Sequence, residues 1–353
     1  MRIAIDARAW DWTGVGRYTR RLVEWLKKID DKNEYIVLTP DVVDGSYYSF
    51  KEQTKLLGQL NRIEADLFHF THFNVPVLFR KPYVVTIHDA TRFFFPGEKQ
   101  QGLIKQMAYE FVFQQALKHA RRVICVSDAT RREVAGLPVG LHRATVIHEG
   151  VDDIFFEKPS RDARAKARML LGTRDPYILY IGVWMSHKNL RRVMEAFAEL
   201  RKKRPALKLV MTGKPRPGYM NMAKVARQLS IESSVMFPGF VPSGLLPALY
   251  AEAAVCIVPS LYEGFGLPAL EAAAAECPVV TSNVSAMPEI LPEGAELVNP
   301  EYVPGIASAI ERILTDEAHR ARLTRQAQGR AAEFSWEKCA RRTLEVYLKA
   351  CSM

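Results

Sequence analysis

Short apolar runs rich in Val, Ile and Phe alternate with longer segments of helical periodicity along the whole chain, and few folds accept that pattern. Runs that are apolar throughout predict strands covered on both faces. A helical segment between consecutive runs predicts parallel pairing, because parallel strands are joined only by a crossover. Strands are expected over residues 2–6, 35–39, 67–70, 84–88, 123–126 and 144–147, and again over 177–181, 208–212, 235–237, 254–258 and 279–282. Helices are expected near 17–28, where Leu22, Val23, Trp25 and Leu26 form an apolar stripe, near 53–60, and over 102–119. After Pro300 the pattern is helical almost to the end, and Trp336, Leu344, Val346 and Tyr347 give the last helix an apolar side. The expected class is α/β with parallel sheets.

A chain of 353 residues exceeds what one hydrophobic core usually serves. Asp152, Asp153, Lys158, Pro159 and Ser160 interrupt the apolar pattern, and we place a boundary there. This gives a first domain over 1–160, a second doubly wound domain over 161–335, and a closing helix over 336–353. The hydrophobic share of 48% and charged share of 25% are those of a soluble globular protein. Cysteines 125, 256, 277, 339 and 351 have no metal-ligand spacing and read as reduced thiols of a cytoplasmic protein. Met1 runs directly into a strand pattern without a signal peptide, and no apolar run has the length of a membrane span. The net charge of +10 admits nucleic acid, an anionic membrane or an acidic ligand as partner. The excess is spread over both halves, and runs such as Arg201, Lys202, Lys203 and Arg204 close a predicted helix, where the dipole favours cations. A solvated face is therefore the default, with no nucleic acid; peripheral contact with the inner membrane surface is the minority expectation.

The most informative local stretch is PSLYEGFGLPALEAAAAECPVV, from Pro259 to Val280. It reads as the end of a buried strand, a turn carrying Glu263, Gly264, Phe265 and Gly266, and a helix that opens at Pro268 and carries Glu271. Glycines on both sides of Phe265 allow close backbone approach to a ligand and aim N–H groups at it. Open parallel sheets hold ligands just beyond the carboxyl ends of their strands, which is where this turn falls. The segment Ile181 to Leu190 likewise closes a strand and opens a helix, with His187 and Lys188 at the junction. A lysine there adds charge to the positive end of the dipole, so it implies an anion nearby, and phosphate is the obvious one. Gly213 and Lys214 end a further strand in a position to touch nucleotide or phosphate. Gly14 and Gly16 follow the first strand, with their N–H groups placed for a phosphate and Arg17 beside them. The loop departs from a dinucleotide fingerprint, since Thr19 stands where Gly or Ala is required and the second strand ends without an acid. His88 closes a buried strand beside Asp89 as a functional candidate; His69 and His72 are candidates for an acceptor side, with no metal implied. Ser127, Asp128 and Thr130 are explained by helix capping. Phe93, Phe94 and Phe95 read as partly buried packing or as an acceptor- or lipid-facing patch.

On these residues the chain resembles the retaining glycosyltransferases of family 4, whose Glu-x7-Glu motif follows PS-x-x-EGFGLP-x-LEA and stands here complete from Glu263 to Glu271. The likeness continues through Gly150-Val151-Asp152 to Pro288-Glu289-Ile290, while His187, Val183, His148 and Glu149 depart from the pattern. It implies a GT-B fold, two facing Rossmann-like doubly wound domains with a cleft between them, whose last helix crosses back to the first domain. It implies that Glu271 binds the ribose of a nucleotide sugar, that Glu263 and the N–H groups of Phe265 and Gly266 bind the sugar, and that Lys188 binds the diphosphate. It places His88 on the donor sugar; the Gly14–Gly16 loop we read as contacting the diphosphate or the acceptor. No Asp-x-Asp metal motif occurs, and neither metal nor cofactor is implied beyond the GDP or UDP moiety of the donor. The opening MRIAIDAR, GVGRYTRRL and HFTHFNVP segments look most like bacterial mannosyltransferases that use GDP-mannose for O-antigen or capsule. A UDP-sugar donor, a nucleotide-sugar epimerase and a non-catalytic nucleotide-sugar binding protein remain open alternatives; a NAD-dependent oxidoreductase is disfavoured by Thr19.

Overall fold

A computed structural model describes all residues except 46, 92–102, 137–142, 217 and 353. The Phe93, Phe94 and Phe95 patch lies outside the described residues. The chain forms two compact units, one built from the residues up to Gly150 together with the segment from Phe334, the other from Val151–Glu333.

In the first unit six parallel strands, β1 (Arg2–Asp6), β2 (Glu34–Leu38), β3 (Leu67–Phe70), β4 (Tyr83–Ile87), β5 (Arg122–Cys125) and β6 (Ala144–Val146), run in the order β2-β1-β3-β4-β5-β6. β3 and β4 are buried at every position, as the unbroken apolar runs require. One face is covered by the helix Gly14–Ile29, through Tyr18, Leu22, Val23 and Leu26, and by the helix Trp336–Cys351. Ser335 caps this last helix by accepting from Lys338 N–H at 3.2 Å. Its buried residues Trp336, Cys339, Ala340, Thr343, Val346, Tyr347 and Ala350 keep the three-and-four spacing of one helical face.

A polar line crosses this core. Tyr18 Oη lies 3.0 Å from Thr86 Oγ1, Thr86 Oγ1 lies 2.8 Å from His69 Nε2, and His69 Nδ1 lies 2.6 Å from Tyr347 Oη. His69 is fully buried, so its expected place on an acceptor surface is corrected: it ties β3 to the last helix. Burial, with His88 as a secondary cause, pushes its pKa down to about 3, and the ring is neutral.

In the second unit β7 (Tyr177–Tyr180), β8 (Lys208–Thr212), β9 (Val235–Gly239), β10 (Val255–Val258), β11 (Val279–Ser282) and β12 (Ala295–Val298) run parallel in the order β12-β11-β10-β7-β8-β9. Pro238 is tolerated because β9 is an edge strand. β12 is absent from the sequence reading; it is a four-residue strand at the opposite edge, and Glu296 breaks its apolar run. The helix Leu190–Lys203 buries Leu190, Val193, Met194, Phe197 and Leu200 against the sheet. Among the described residues, no helix is long and apolar enough to cross a membrane.

The neutral His69 makes stability depend on acid. Its folded pKa lies below its unfolded value, so its contribution is complete above about pH 6.5 and is lost as pH falls from there towards 3. We expect His69→Gln to flatten the fall in urea midpoint between pH 6.5 and 5, where one such group contributes a slope of about 1.4 kcal/mol per pH unit. An unchanged slope would show that His69 already charges within the fold.

Candidate functional site

In each sheet the strand order reverses once, and the loops that follow the strands on either side of the reversal diverge to leave a crevice at the carboxyl edge. In the second sheet the reversal lies between β7 and β10. The loop after β7 supplies Lys188, and the loop after β10 supplies Glu263. The topology therefore brings together two residues far apart in sequence. Lys188 Nζ donates to both carboxylate oxygens of Glu263 at 2.7 Å. The two side chains keep 20% and 10% of their exposure, so the pair is largely shielded.

The surroundings fix the pair. Ser260 Oγ donates to Glu263 Oε1 at 2.7 Å. Ser285, left-handed at φ 58°, accepts from Glu263 N–H at 3.2 Å and donates to Glu263 O at 2.6 Å, which locks the backbone under the carboxylate. Lys188 ends a single 3-10 turn, Ser186–Lys188, and Asn189 at φ 62° redirects the chain into the helix Leu190–Lys203. Asn189 occupies the N-cap position of that helix, but its side chain makes no cap bond. Its Nδ2 donates instead to Pro259 O at 3.0 Å and Pro300 O at 2.6 Å, while Leu261 N–H donates to His187 O at 2.7 Å. These bonds staple the Lys188 loop to the Glu263 loop. The sequence gives no signal for Ser285 or Asn189, because their partners are distant in the chain. Ser260 sits inside the motif, three residues before Glu263, and was the readable one.

Gly264, Phe265 and Gly266 are buried around the turn, and the helix starts at Leu267, one residue before the expected Pro268. Gly266 takes φ 99°, a conformation that L side chains rarely adopt, which favours glycine here. Glu271 is 2% exposed, and its Oε2 accepts from Tyr250 Oη at 2.9 Å. The anion that the dipole argument demanded beside Lys188 is, in this structure, Glu263. Burial first, and the Glu263 charge second, raise the pKa of Tyr180. His187 is buried, whereas Lys214 is exposed; Gly213, at φ 99°, brings the β8 end so close that a Cβ would lie 2.0 Å from Gly182 O.

The remaining candidates belong to the first unit. Gly14 and Gly16 form the first turn of the helix Gly14–Ile29 rather than a loop before it. A Cβ on Gly16 would lie 2.5 Å from Ala9 O, so the residue has a packing reason to be glycine, whereas Gly14 has open space. Thr19, the misfit to a dinucleotide fingerprint, bonds Val15 O at 2.8 Å and Thr71 Oγ1 at 2.9 Å. His88 has Nε2 2.9 Å from Thr71 O and Nδ1 2.9 Å from Glu149 Oε1, so acceptors already engage both ring nitrogens. Burial raises the Asp89 pKa, but hydrogen bonds from the Thr91 side chain and backbone outweigh it and leave the group below its usual value.

Comparison with known proteins adds the following. A model of glycosyl transferases group 1 matches residues 162–330, and a model of Glycosyltransferase Family 4 matches residues 12–155. The chain is 27% identical to O-antigen chain mannosyltransferase B of Escherichia coli over 95% of this chain and 96% of that protein. Among solved structures, sucrose-phosphate synthase from Thermosynechococcus elongatus superposes with a TM-score of 0.81 at 21% identity, covering 99% of this chain and 98% of that one. Anabaena HepE, in complex with UDP-glucose, superposes with a TM-score of 0.79 at 19% identity, covering 99% and 100%.

Removing one partner of a shielded ion pair leaves the other charge uncompensated. Lys188→Met should therefore cost roughly 2 to 4 kcal/mol in urea unfolding, more than the double variant Lys188→Met/Glu263→Leu. Equal losses in the two would mean that the pair is solvated and contributes little.

Proposed function

Since the chain belongs to the GT-B glycosyltransferases of family 4, we propose that it moves a hexose, mannose from GDP-mannose, onto a glycan or lipid-linked glycan acceptor in cell-surface polysaccharide synthesis. The observation that carries the reading is the Lys188–Glu263 pair at the crevice of the second sheet, stapled in place by Asn189, Ser260 and Ser285. The likeness to a mannosyltransferase along nearly the whole chain supports mannose, and the HepE complex keeps a UDP-sugar as the second reading.

In this reading the difficult step is departure of a nucleoside diphosphate from a sugar carbon that becomes oxocarbenium-like. The Lys188 ammonium neutralises charge that grows on the leaving diphosphate and stands in for a divalent ion, while the N–H groups of Phe265 and Gly266 help Glu263 hold the sugar. A carboxylate offers about four acceptor sites. Lys188 takes one on each oxygen of Glu263 and Ser260 takes a further one, which leaves capacity for a sugar hydroxyl. Glu271, held by Tyr250, binds the ribose hydroxyls, with Gly264, Gly213, Lys214 and His187 shaping the nucleotide side. In the first unit, His88 meets the donor sugar and the Gly14–Gly16 turn meets the diphosphate or the acceptor. The bond from the anomeric carbon to phosphate oxygen breaks while the bond to the acceptor oxygen forms on the same face. The acceptor proton passes to the leaving phosphate oxygen, and configuration is retained. We place the reaction in the cytoplasm, at the inner face of the membrane when the acceptor is lipid-linked.

A thermal-shift series with GDP, UDP, ADP, dTDP and NAD tests the donor, because a ligand of the folded state raises the midpoint by mass action. A rise with GDP alone is expected; a rise with UDP alone replaces the donor, and a rise with NAD alone overturns the reading. With the donor known, Glu271→Ala should weaken nucleotide binding and turnover together, whereas Glu263→Ala should lower turnover more than nucleotide affinity. Full activity in both variants would remove this site from the mechanism.

A further inference from the structure

Both ring nitrogens of His88 face oxygen atoms, and the two bonds together ask for one proton more than a neutral imidazole holds. Nε2 lies 2.9 Å from Thr71 O, a backbone carbonyl with no proton to give, so Nε2 carries one. Nδ1 lies 2.9 Å from Glu149 Oε1. Two bare acceptors at that distance repel each other, so a proton lies between them as well. Imidazole is the stronger base of the two groups in water, which puts that proton on the ring.

The frame holds both partners in place. His88 follows β4, Thr71 follows β3 and Glu149 follows β6, and the His88 and Glu149 side chains keep only 11% and 5% of their exposure. Thr71 is fixed by its Oγ1, which donates to Asp6 O at 2.7 Å. A Cβ on Gly150 would lie 2.2 Å from Trp336 N, so the turn that carries Glu149 rests directly on the start of the last helix. The carboxylate therefore cannot swing out to water without displacing backbone.

The groups around the pair offer no other charge balance. Tyr18, on the helix Gly14–Ile29, stands T-shaped to His88 at 4.7 Å between centroids; its Oη meets Thr86, and burial raises its pKa. Burial first, and His88 second, push the pKa values of His69 and His72 down to about 3, so both of those rings are neutral. Cys339, on the last helix, has its pKa raised by burial and then by Glu149. Asp89 adds a second carboxylate, held below its usual value by Thr91. Among the described residues His88 is the one ion-pair partner of Glu149, and a buried carboxylate without a cation is costly.

We propose that Glu149 is a positioning residue that keeps His88 doubly protonated at the carboxyl edge of the first sheet. An amide at position 149 could donate to Nδ1 and leave the ring neutral, whereas a carboxylate can only accept. A ring with protons on both nitrogens takes up no further proton. In the transfer reading, on which this consequence rests, His88 is therefore not the base, and the acceptor proton is left to the leaving phosphate oxygen. The charge state of the ring does not depend on that reading.

Long-range proton–nitrogen NMR on the full chain with labelled histidine, the His88 signals being those lost in His88→Gln, reads the ring directly. At about pH 7 both nitrogens of His88 should carry protons, whereas Glu149→Gln should leave a proton on Nε2 alone and lower the titration midpoint by about one pH unit or more. Glu149→Asp, which keeps the charge, should retain part of that difference. A neutral His88 in the unmodified protein, or the same ring state and midpoint in Glu149→Gln, overturns the proposal. With the donor that the thermal shift identifies, turnover of the unmodified protein should show no fall towards acid, between about pH 8 and 6, whose midpoint Glu149→Gln displaces. Such a displaced fall would make His88 a base and overturn the proposal from the kinetic side. Double protonation that depends on Glu149, in a protein that transfers no sugar, keeps the proposal and removes the transfer reading instead.

Discussion

Two strands that run parallel can be joined only by a segment that returns the chain to the edge where the first strand began. With twelve strands paired in this way in two sheets among the described residues, the loops that follow the strands in each sheet collect along one edge, and those that precede them along the other. Where the strand order reverses, neighbouring loops diverge and a crevice opens without further design. Lys188 with Glu263, and His88 with Glu149, owe their positions to this constraint before any side-chain interaction acts.

What the side chains add is rigidity. The Lys188–Glu263 pair would be mobile if it depended on the pair alone, because a lysine stem has many rotamers. The surrounding bonds remove that freedom: Ser260 fixes the carboxylate, Ser285 fixes its backbone, and Asn189 ties the lysine loop to the start of the glutamate loop. Asn189 and Ser285 both hold left-handed backbone, a strain tolerated where surrounding contacts determine the position. Such a site is ready before its anion arrives, and preorganisation is what makes a cation effective against charge that develops during reaction.

The first unit depends on chain from both ends of the sequence. Its sheet is covered by the helix Trp336–Cys351, and the Tyr18–Thr86–His69–Tyr347 line threads the joint. Each member of that line is satisfied by another member, which is how a buried polar chain remains compatible with an apolar core.

The alternation of apolar runs and helical periods was enough to read eleven of the strands and their parallel pairing, because the central strands are buried on both faces and apolar throughout, and the half-exposed edge strands β2, β6 and β9 still carry apolar residues in sequence. The exception, β12, is the four-residue edge strand AELV, in which Glu296 interrupts the apolar run. The stretch from Glu263 to Glu271 was also legible, since its strand, turn and helix are contiguous. Local sequence did not reveal that Lys188 meets Glu263, that Gly14 and Gly16 open a helix, or that His69 is a core residue bonded to Tyr347. Periodicity reports which faces of an element are apolar, and so fixes the elements and their layering. Which polar group meets which is decided by strand order and crossover, and contacts between residues 75 or 278 positions apart exist only once the chain has closed.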